Sequence, residues 1–333
     1  MGLDLEIRKG KVMASDLAGY MEFNPHAGPL ETWARNLGHS AFEGNALTEI
    51  GLAVESGILT LAAKHLKQDN KKFYKELGKK IGNAKYVSEW FPGTVFHPVK
   101  SWAGCTPDIY FPAIGEGVQA KNHGLNAAQH FAGLPGELGE WDNNLLPEWH
   151  LVQCQWEMFV VGAKTWWLAA LIGGNDFRMY HLRRDDDLLN MLASRAEAFW
   201  KKHLDPTGNQ EPPDADGSDS SAEYLRRAFP RVERPELLPT TEEARETGER
   251  YAQASAKLKE WESAKAEAKH RLMQLIGAAE GIAGVCTFRE SKGTPKTDWE
   301  ALAKTLPGWE QAIDAHTKAT GGHRTFRLTM KPE

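Results

Sequence analysis

Two short runs decide how this chain folds, Thr106-Pro107-Asp108-Ile109-Tyr110-Phe111 and Gly117-Val118-Gln119-Ala120-Lys121. β-Branched and aromatic residues on either side of a Gly-bearing turn predict two paired strands. Asp108 then stands at the start of the first strand. Gln119 and Lys121 have the same parity on the second strand, so their side chains project from one face. The hairpin is therefore expected to gather an acid, an amide and a lysine.

Helices and further strands surround the hairpin. Apolar residues recur at steps of three and four over 45–66, which predicts an amphipathic helix; they are Leu47, Ile50, Val54, Ile58 and Leu61. Other helices are predicted over 11–36 (two, split by a turn), 147–162 and 185–204. Further strand-like runs are 85–90, 94–99, 165–174 and 177–184. This pattern predicts an α/β (α+β) protein with a strand-rich centre and flanking helices.

The C-terminal third has a different character. Residues 205–221 carry Pro, Gly, Asp and Ser and almost nothing apolar, which predicts a mobile loop. Residues 242–278 follow a heptad pattern, which predicts a long helix packed on the body or on a neighbouring chain; the seam is Tyr251, Ala254, Leu258, Trp261, Lys265, Ala268, Leu272 and Leu275. Short segments should follow, strands at 285–290 and 324–329 and a helix at 298–306. We expect a core over 1–204 and a C-terminal arm over 222–333 that packs on it.

Composition narrows the class of protein. The longest strongly apolar stretch, 166–172, is far shorter than the roughly 20 residues of a membrane span. The N-terminal residues contain no apolar segment typical of a secretory signal. Three separated cysteines match neither a zinc site nor a four-cysteine iron–sulfur cluster, and they indicate a reducing cytoplasm. The net charge of −5 excludes bulk electrostatic coating of nucleic acid but leaves room for a local basic groove.

The residue types of the hairpin suit phosphodiester chemistry. Divalent metal ions held by carboxylates can activate a water, neutralise a phosphate and assist the leaving oxygen. Mg²⁺ prefers oxygen ligands and keeps several waters. An aspartate followed about ten residues later by a lysine is nevertheless common, so for this segment alone a surface hairpin with a solvated Asp108 and Lys121 is the favoured interpretation.

Motifs that occur in order from Arg8 to Trp200 change that interpretation. The N-terminal ones are an opening Arg-x-Gly-x-Val-x-Ala-Ser at 8–15, Pro-Leu-Glu-Thr-Trp at 29–33 and Gly-x-x-x-Glu at 51–55. The later ones are Thr-Pro-Asp at 106–108, Gln-Ala-Lys-Asn at 119–122, Gln-x-Gln-x-x-Met at 153–158, Leu-Ile-Gly-Gly-Asn at 171–175 and Ala-Phe-Trp at 198–200. Together they resemble the YqaJ-type viral recombinases, which include the lambda-type exonuclease, within the restriction-endonuclease-like PD-(D/E)xK superfamily.

The resemblance implies a fold and a set of roles. The fold would be a restriction-endonuclease-like central mixed sheet flanked by helices, with the long C-terminal helix as an arm. Catalysis would fall to Glu55, Asp108, Gln119, Lys121 and Gln155. A Mg²⁺ ion, or Mn²⁺ in its place, would bind Glu55, Asp108, Gln119 and the Ala120 carbonyl, and Lys121 would orient or deprotonate the attacking water. Arg8, Ser15 and Gln153 would contact DNA phosphate, and Gln153 and Gln155 would also buttress the lysine or the water. Glu49 and Glu43 are the alternatives to Glu55.

One residue departs from the resemblance. The family has a glutamate where this chain has Gln119, and an amide keeps an oxygen acceptor but lacks the negative charge. The glutamine is either native, as in some branches of the superfamily, or a replacement of a native glutamate. Five lone histidines, among them His123 close to Lys121, lack metal-site spacing and are interpreted as structural hydrogen-bonding groups.

The implied activity is a phage or prophage 5′-3′ exonuclease of double-stranded DNA, working in the bacterial cytoplasm. It would generate 3′ single-stranded tails for recombination. Implied partners are DNA ends, an annealing protein and further copies of the chain in a trimeric ring, with no membrane. Two alternatives stay open, a weakly catalytic DNA-end-binding protein and an endonuclease of the same superfamily. The cysteine count disfavours an iron–sulfur nuclease.

Overall fold

A computed structural model describes residues 5–40, 46–81, 89–131, 146–290, 298–305 and 309–310. The chain divides into two compact units after Ala228. The predicted strand at 324–329, and most of that at 85–90, lie outside the described residues. No helix in the described part is long and apolar enough to cross a membrane.

A four-stranded mixed sheet forms the centre of the first unit. Its order is β4-β5-β6-β7, and the strands are β4 Ile109–Phe111, β5 Glu116–His123, β6 Thr165–Ile172 and β7 Asp176–Arg183. The β4/β5 and β6/β7 pairs are antiparallel, whereas β5/β6 is parallel. A parallel pair needs a crossover connection, and helix α6 (Glu148–Val161) lies in it. The predicted mixed α/β architecture is confirmed.

Helices cover both faces of this sheet. Helix α4 (Ala46–His65) packs with Val118 and Ala120 of β5. On the opposite face, Cys154 and Met158 of α6 pack with Leu168 and Ala170 of β6. Gln119 pairs with Leu168 and Lys121 with Ala170 in the strand register. Because side chains alternate along a strand, Gln119 and Lys121 leave β5 on the α6 side. Strand β4 pairs with β5 only as far as Val118, so both residues lie at a sheet edge that residues of α4 also border.

The buried stripe of α4 differs from the predicted one. Ile58 and Leu59 are buried, as are Ala62 and Ala63 one turn later. Ile50 and Leu61, which were expected inside, are 49% and 43% exposed. The helix itself was predicted correctly. Apolar residues occur on every side of it, so their periodicity could not identify the buried face.

Apart from the four-stranded sheet, a small sheet of order β1-β3-β2 and the helices around it form a hydrophobic cluster of their own. Its elements are α1 Leu5–Arg8, β1 Val12–Met13, α2 Ala14–Tyr20, α3 Pro29–Leu37, β2 Val95–Phe96, β3 Ala103–Cys105 and α7 Asp186–Phe199, which continues as a π-helical turn over Trp200–Leu204. Asp185 caps α7 by accepting a hydrogen bond from Leu188 N at 2.9 Å. Helix α5 (Asn70–Ile81) packs on α4 through Phe73 and Leu77.

The segment predicted as a mobile loop, 205–221, is tied to the first unit. Gly28 N donates to Ser220 Oγ at 3.0 Å, and Ser218 and Ser221 both donate to Asp216. Helix α8 (Asp219–Ala228) begins inside this segment and packs on α3. The polar residues of this segment thus form hydrogen bonds with one another and with Gly28. The division into units falls after α8, later than the predicted boundary at 222.

The second unit contains the long helix α9 (Glu242–Ile276), which confirms the helix predicted over 242–278. Thr241 caps it through a hydrogen bond from Ala244 N at 3.1 Å. A two-stranded hairpin of β8 (Gly281–Ile282) and β9 (Cys286–Thr287), and helix α10 (Trp299–Ala303), follow. Large members of the heptad seam are exposed, with Leu258 at 59% and Trp261 at 74%.

Candidate active site

A cavity of about 290 Å³ lies between α4 and the β4/β5 hairpin. Glu55, Asp108, Gln119, Ala120 and Lys121 all line it. The first comes from a helix, the second from the residue before β4 and the others from β5. Tertiary packing therefore gathers the predicted metal-ligand positions and the lysine in one place.

Asp108 is held rigidly by the hairpin. Its Oδ2 accepts hydrogen bonds from Ala120 N at 2.7 Å and from Gln119 Nε2 at 2.5 Å. Burial raises the pKa of Asp108 to about 6, and the Glu55 carboxylate acts in the same direction. Lys80 and Lys121 oppose this rise. A carboxylate with a raised pKa gains from a nearby cation, because positive charge favours its ionised form.

Glu55 meets a lysine that the sequence did not single out. Lys80 Nζ of α5 donates to Glu55 Oε1 at 2.8 Å, and the two side chains are 18% and 30% exposed. The same ammonium lies 5.1 Å from the ring centre of Phe91. The α5–α4 packing through Phe73 brings Lys80 to the cavity, and 25 residues of separation leave no local sequence signal for this pair.

The side-chain amide of Gln119 donates a hydrogen bond through its nitrogen, but its oxygen accepts none from the described residues. Its amide nitrogen donates to Asp108, whereas its Oε1 is buried and has no hydrogen-bond partner among the described residues. A buried acceptor without a donor costs roughly 1–3 kcal/mol. Its Oε1 is thus an oxygen available to a cation or a water.

The oxygens at the cavity fit a magnesium ion. Two carboxylates, the orphaned Gln119 Oε1 and the Ala120 carbonyl form an all-oxygen donor set, and Mg²⁺ characteristically takes few protein ligands and keeps several waters. Among the described residues, no group of three or more His, Cys, Asp or Glu side chains is arranged to hold a metal. Any ion here would therefore rely on the two acids and on neutral oxygens.

Arg8 and Ser15 come together away from the cavity wall. Arg8 Nη2 donates to Ser15 Oγ at 2.7 Å, and Asp16 lies 3.9 Å from the same guanidinium nitrogen. Arg35 also contacts Asp16, at 3.3 Å. The pair offers phosphate donors, but Asp16 already neutralises part of their charge.

Gln155 does not reach the cavity, which corrects the expectation that it buttresses the lysine or the water. Its Nε2 donates to Arg183 O at 2.7 Å and its Oε1 accepts from Asp185 N at 3.0 Å. Both ends of the fully buried amide thus hold the β7–α7 turn. Helical spacing could not reveal this, because the turn comes from a segment about 30 residues later.

Gln153 is 9% exposed and serves a buried acid instead of an open phosphate site. Its Nε2 donates to Glu157 Oε1 at 3.1 Å. Glu157 is fully buried, and its Oε2 has no hydrogen-bond partner in the described part, since Trp166 Nε1 approaches without reaching hydrogen-bond geometry. Burial and then the Asp108 charge raise the pKa of Glu157 to about 8.

Two histidines lie beyond Lys121 along β5. His123 Nε2 and His150 Nε2 are 2.8 Å apart, and Trp149 Nε1 donates to His150 Nε2 at 3.1 Å. Burial and the Lys121 charge lower the pKa of His123 to about 4 and that of His150 well below its usual value. Both rings are therefore neutral near pH 7, and His150 Nε2 accepts from the Trp149 indole N–H.

Comparison with known proteins gives one sequence relative and several structures. No protein-family model matches the chain. Over 145 residues the chain is 30% identical to YqaJ of Bacillus subtilis strain 168, a protein described as uncharacterized. The chain is similar to YqaJ. This likeness confirms the resemblance to YqaJ-type proteins predicted from the ordered motifs. The match covers 43% of the chain and 44% of YqaJ, so the chain spans less than half of that relative.

The solved structures that resemble the chain share fewer identical residues with it than YqaJ does. The alkaline exonuclease LHK-Exo from Laribacter hongkongensis is 17% identical, with a TM-score of 0.38, over 59% of this chain and 88% of that protein. A phage-related exonuclease from Haemophilus somnus 129PT is 13% identical, with a TM-score of 0.38, over 59% and 95%. A TM-score of 0.38 marks a weak structural likeness.

Proposed function

We propose that this chain is a metal-dependent deoxyribonuclease whose active site is the cavity between α4 and the β4/β5 hairpin. The observation that carries the proposal is the meeting of Glu55, Asp108, Gln119 and Lys121 in that cavity, where Gln119 Oε1 is buried and has no hydrogen-bond partner among the residues that the structure describes. Two acids, neutral oxygens and a lysine on rigid elements form the constellation that hydrolysis of a phosphodiester requires. The resemblance of the ordered motifs to the YqaJ-type recombinases supports it.

Each residue has a distinct task in this proposal. Asp108 and Glu55 would hold the cation with Gln119 Oε1 and the Ala120 carbonyl. A Mg²⁺ ion bound there would supply charge neutralisation on the phosphate and a more acidic water. Lys121 orients or deprotonates the attacking water, and the Ala120 amide keeps Asp108 in place through its 2.7 Å hydrogen bond. Arg8 and Ser15 receive a phosphate of the DNA.

The finer activity rests on the resemblance to YqaJ-type recombinases. We propose digestion of duplex DNA from the 5′ end, leaving 3′ single-stranded tails for an annealing protein, in the cytoplasm of a bacterial host. A trimeric ring is part of this proposal, and so is a restriction-endonuclease-like fold for the central mixed sheet.

A second candidate is a DNA-end-binding protein of the same fold that cleaves weakly. Gln119 favours it, because the amide contributes no charge to the metal site and donates its hydrogen bond to Asp108. Weaker cation binding would then leave the cavity suited to holding an end rather than hydrolysing it.

Incubation with linear and closed circular duplex DNA in Mg²⁺ tests the proposal. We expect degradation of the linear form, with Asp108→Asn and Lys121→Ala each lowering the rate at least about 100-fold. Asp187→Ala and Lys202→Ala, at exposed positions of the α7 region, are matched controls and should retain activity. Undiminished cleavage by Asp108→Asn would sink the site assignment. Cutting of closed circles would favour an endonuclease, and tight binding without cleavage would favour the end-binding protein.

A further inference from the structure

Helix α5 carries a strongly one-sided charge. Its twelve residues, Asn70–Ile81, contain five lysines and one glutamate, while the whole chain has a net charge of −5. Helix α9 provides the comparison within the same chain, because its 35 residues hold acids and bases in equal number. Arg245 of α9 pairs with Glu242 and Glu249 on its own helix, as on an ordinary solvated face.

The lysines of α5 form two ridges. The inner ridge is Lys72 and Lys80, whose ammonium groups lie 5.7 Å from the Trp90 ring centre and 5.1 Å from the Phe91 ring centre. Each also pairs with an acid, Lys72 with Glu89 and Lys80 with Glu55. The outer ridge is Lys71, Lys75 and Lys79, each four residues from the next and each exposed. At 1.5 Å rise per residue this ridge extends about 12 Å.

The inner ridge joins α5 to the candidate active site. Lys80 Nζ contacts Glu55 Oε1 at 2.8 Å, and Glu55 lines the cavity. The helix is also seated by Phe73, which is fully buried, and by Leu77. The outer ridge therefore lies on a helix whose Lys80 contacts Glu55 of the site, and the packing of that helix constrains the distance of the ridge from the cavity.

We propose that the outer ridge of α5, Lys71, Lys75 and Lys79, binds the phosphate backbone of the DNA next to the point of cleavage. This inference rests on the proposed nuclease function and adds the surface that holds the substrate. Duplex DNA carries one negative charge per roughly 1.7 Å of its axis, so a ridge of about 12 Å faces several phosphates. Of the three lysines, Lys79 pairs with Glu76 at 3.0 Å, an exposed i,i+3 pair of small energetic value that a phosphate can replace.

Salt-dependent DNA binding tests the ridge. The affinity of the full-length chain for a short fluorescein-labelled linear duplex is measured by anisotropy over a series of KCl concentrations, with Ca²⁺ in place of Mg²⁺ to suppress cleavage. The variants are Lys71→Gln/Lys75→Gln/Lys79→Gln and its charge-retaining counterpart with arginine. Lys257→Gln/Lys259→Gln/Lys269→Gln on α9 removes the same charge from a mixed-charge helix and is the matched control.

Loss of three phosphate contacts should reduce the slope of log Kd against log salt by about 0.9 per contact, roughly 2 to 3 in all. We expect this for the glutamine variant alone, with wild-type slopes for the arginine variant and for the α9 control. A glutamine variant that melts normally and keeps the wild-type slope overturns the ridge proposal while cleavage by the wild type upholds the nuclease. A wild-type chain that neither binds nor cleaves DNA overturns both.

Discussion

At the scale of single residues, Gln119 sets the character of the candidate site. A glutamate at this position would place a second charge beside Asp108, and both carboxylates could be ionised together only with a cation present. The amide instead donates to Asp108 at 2.5 Å, and its oxygen has no partner within the described part of the chain. The cavity is thus stable without an ion and still offers an oxygen to one.

The substitution Gln119→Glu should make the stability of the cavity depend on a bound cation. We expect binding of Mg²⁺ or Mn²⁺, measured by titration calorimetry, to tighten at least about tenfold, the equivalent of roughly 1.4 kcal/mol. Without metal the variant should melt at a lower temperature than the wild type above pH 7, because two carboxylates then adjoin. Gln153→Glu, a change of the same kind on α6, is the control for added charge. An unchanged metal affinity for Gln119→Glu would remove residue 119 from the metal shell.

Glu157 should make folding stability depend on pH. Its folded pKa of about 8 lies above the ordinary 4.5, so the folded state binds more protons between these values. Stability must therefore fall as the pH rises from about 4.5 through 8. Glu157→Gln removes this loss, and urea unfolding should show the variant gaining roughly 2–3 kcal/mol on the wild type between pH 5.5 and 8.5. Parallel pH profiles for the two proteins would contradict the raised pKa.

At the scale of secondary-structure elements, the packing of α5 on α4 places Lys80 against Glu55. Lys80 occupies an oxygen that a metal ion would use. Lys80→Met keeps the apolar stem but removes the competing charge. We expect Mg²⁺ to bind several-fold more tightly in calorimetry and the metal-free variant to unfold more easily, since Glu55 loses its counter-ion. Lys79→Met, whose partner is Glu76, should change neither quantity. Equal metal affinity for both variants would show that Lys80 does not compete.

Helix α9 presents its heptad seam to solvent within the single chain. Leu258 is 59% exposed and Trp261 is 74% exposed. If this seam joins copies of the chain, as the proposed trimer requires, Leu258→Glu/Trp261→Glu should yield monomers in sedimentation experiments, whereas Lys257→Glu/Lys259→Glu beside the seam should not. An unaltered oligomer in the seam variant would place the subunit contact elsewhere.

At the scale of the whole molecule, the chain has two compact units that meet in sequence after Ala228. The three hydrophobic clusters around the sheets consist of residues from the first unit alone. A chain that ends at Ala228 should therefore unfold cooperatively, with a melting temperature within a few degrees of the full-length value. Circular dichroism and calorimetry measure this. Broad, non-cooperative melting of the shortened chain would show that its core needs the second unit.

Sequence patterns predicted the elements better than their surroundings. The strands over 165–174 and 177–184 and the helix over 242–278 appear close to their predicted bounds, because alternation and heptad spacing are local properties. The buried face of α4 was predicted wrongly, and the hydrogen bond from Gly28 to Ser220 had no signal in the sequence. Both concern partners distant in sequence, which no periodicity encodes.

The sequence by itself determined the hairpin that carries Asp108, Gln119 and Lys121, the mixed α/β class and the likeness to YqaJ. These follow from short-range spacing and from motif order, which a linear chain displays directly. Tertiary structure alone decided that Lys80 meets Glu55, that Gln155 serves the β7–α7 turn and that Glu157 is fully buried with a raised pKa. Such facts depend on burial and on contacts between separated segments, because charge pairing and desolvation arise only when packing brings side chains together and removes water.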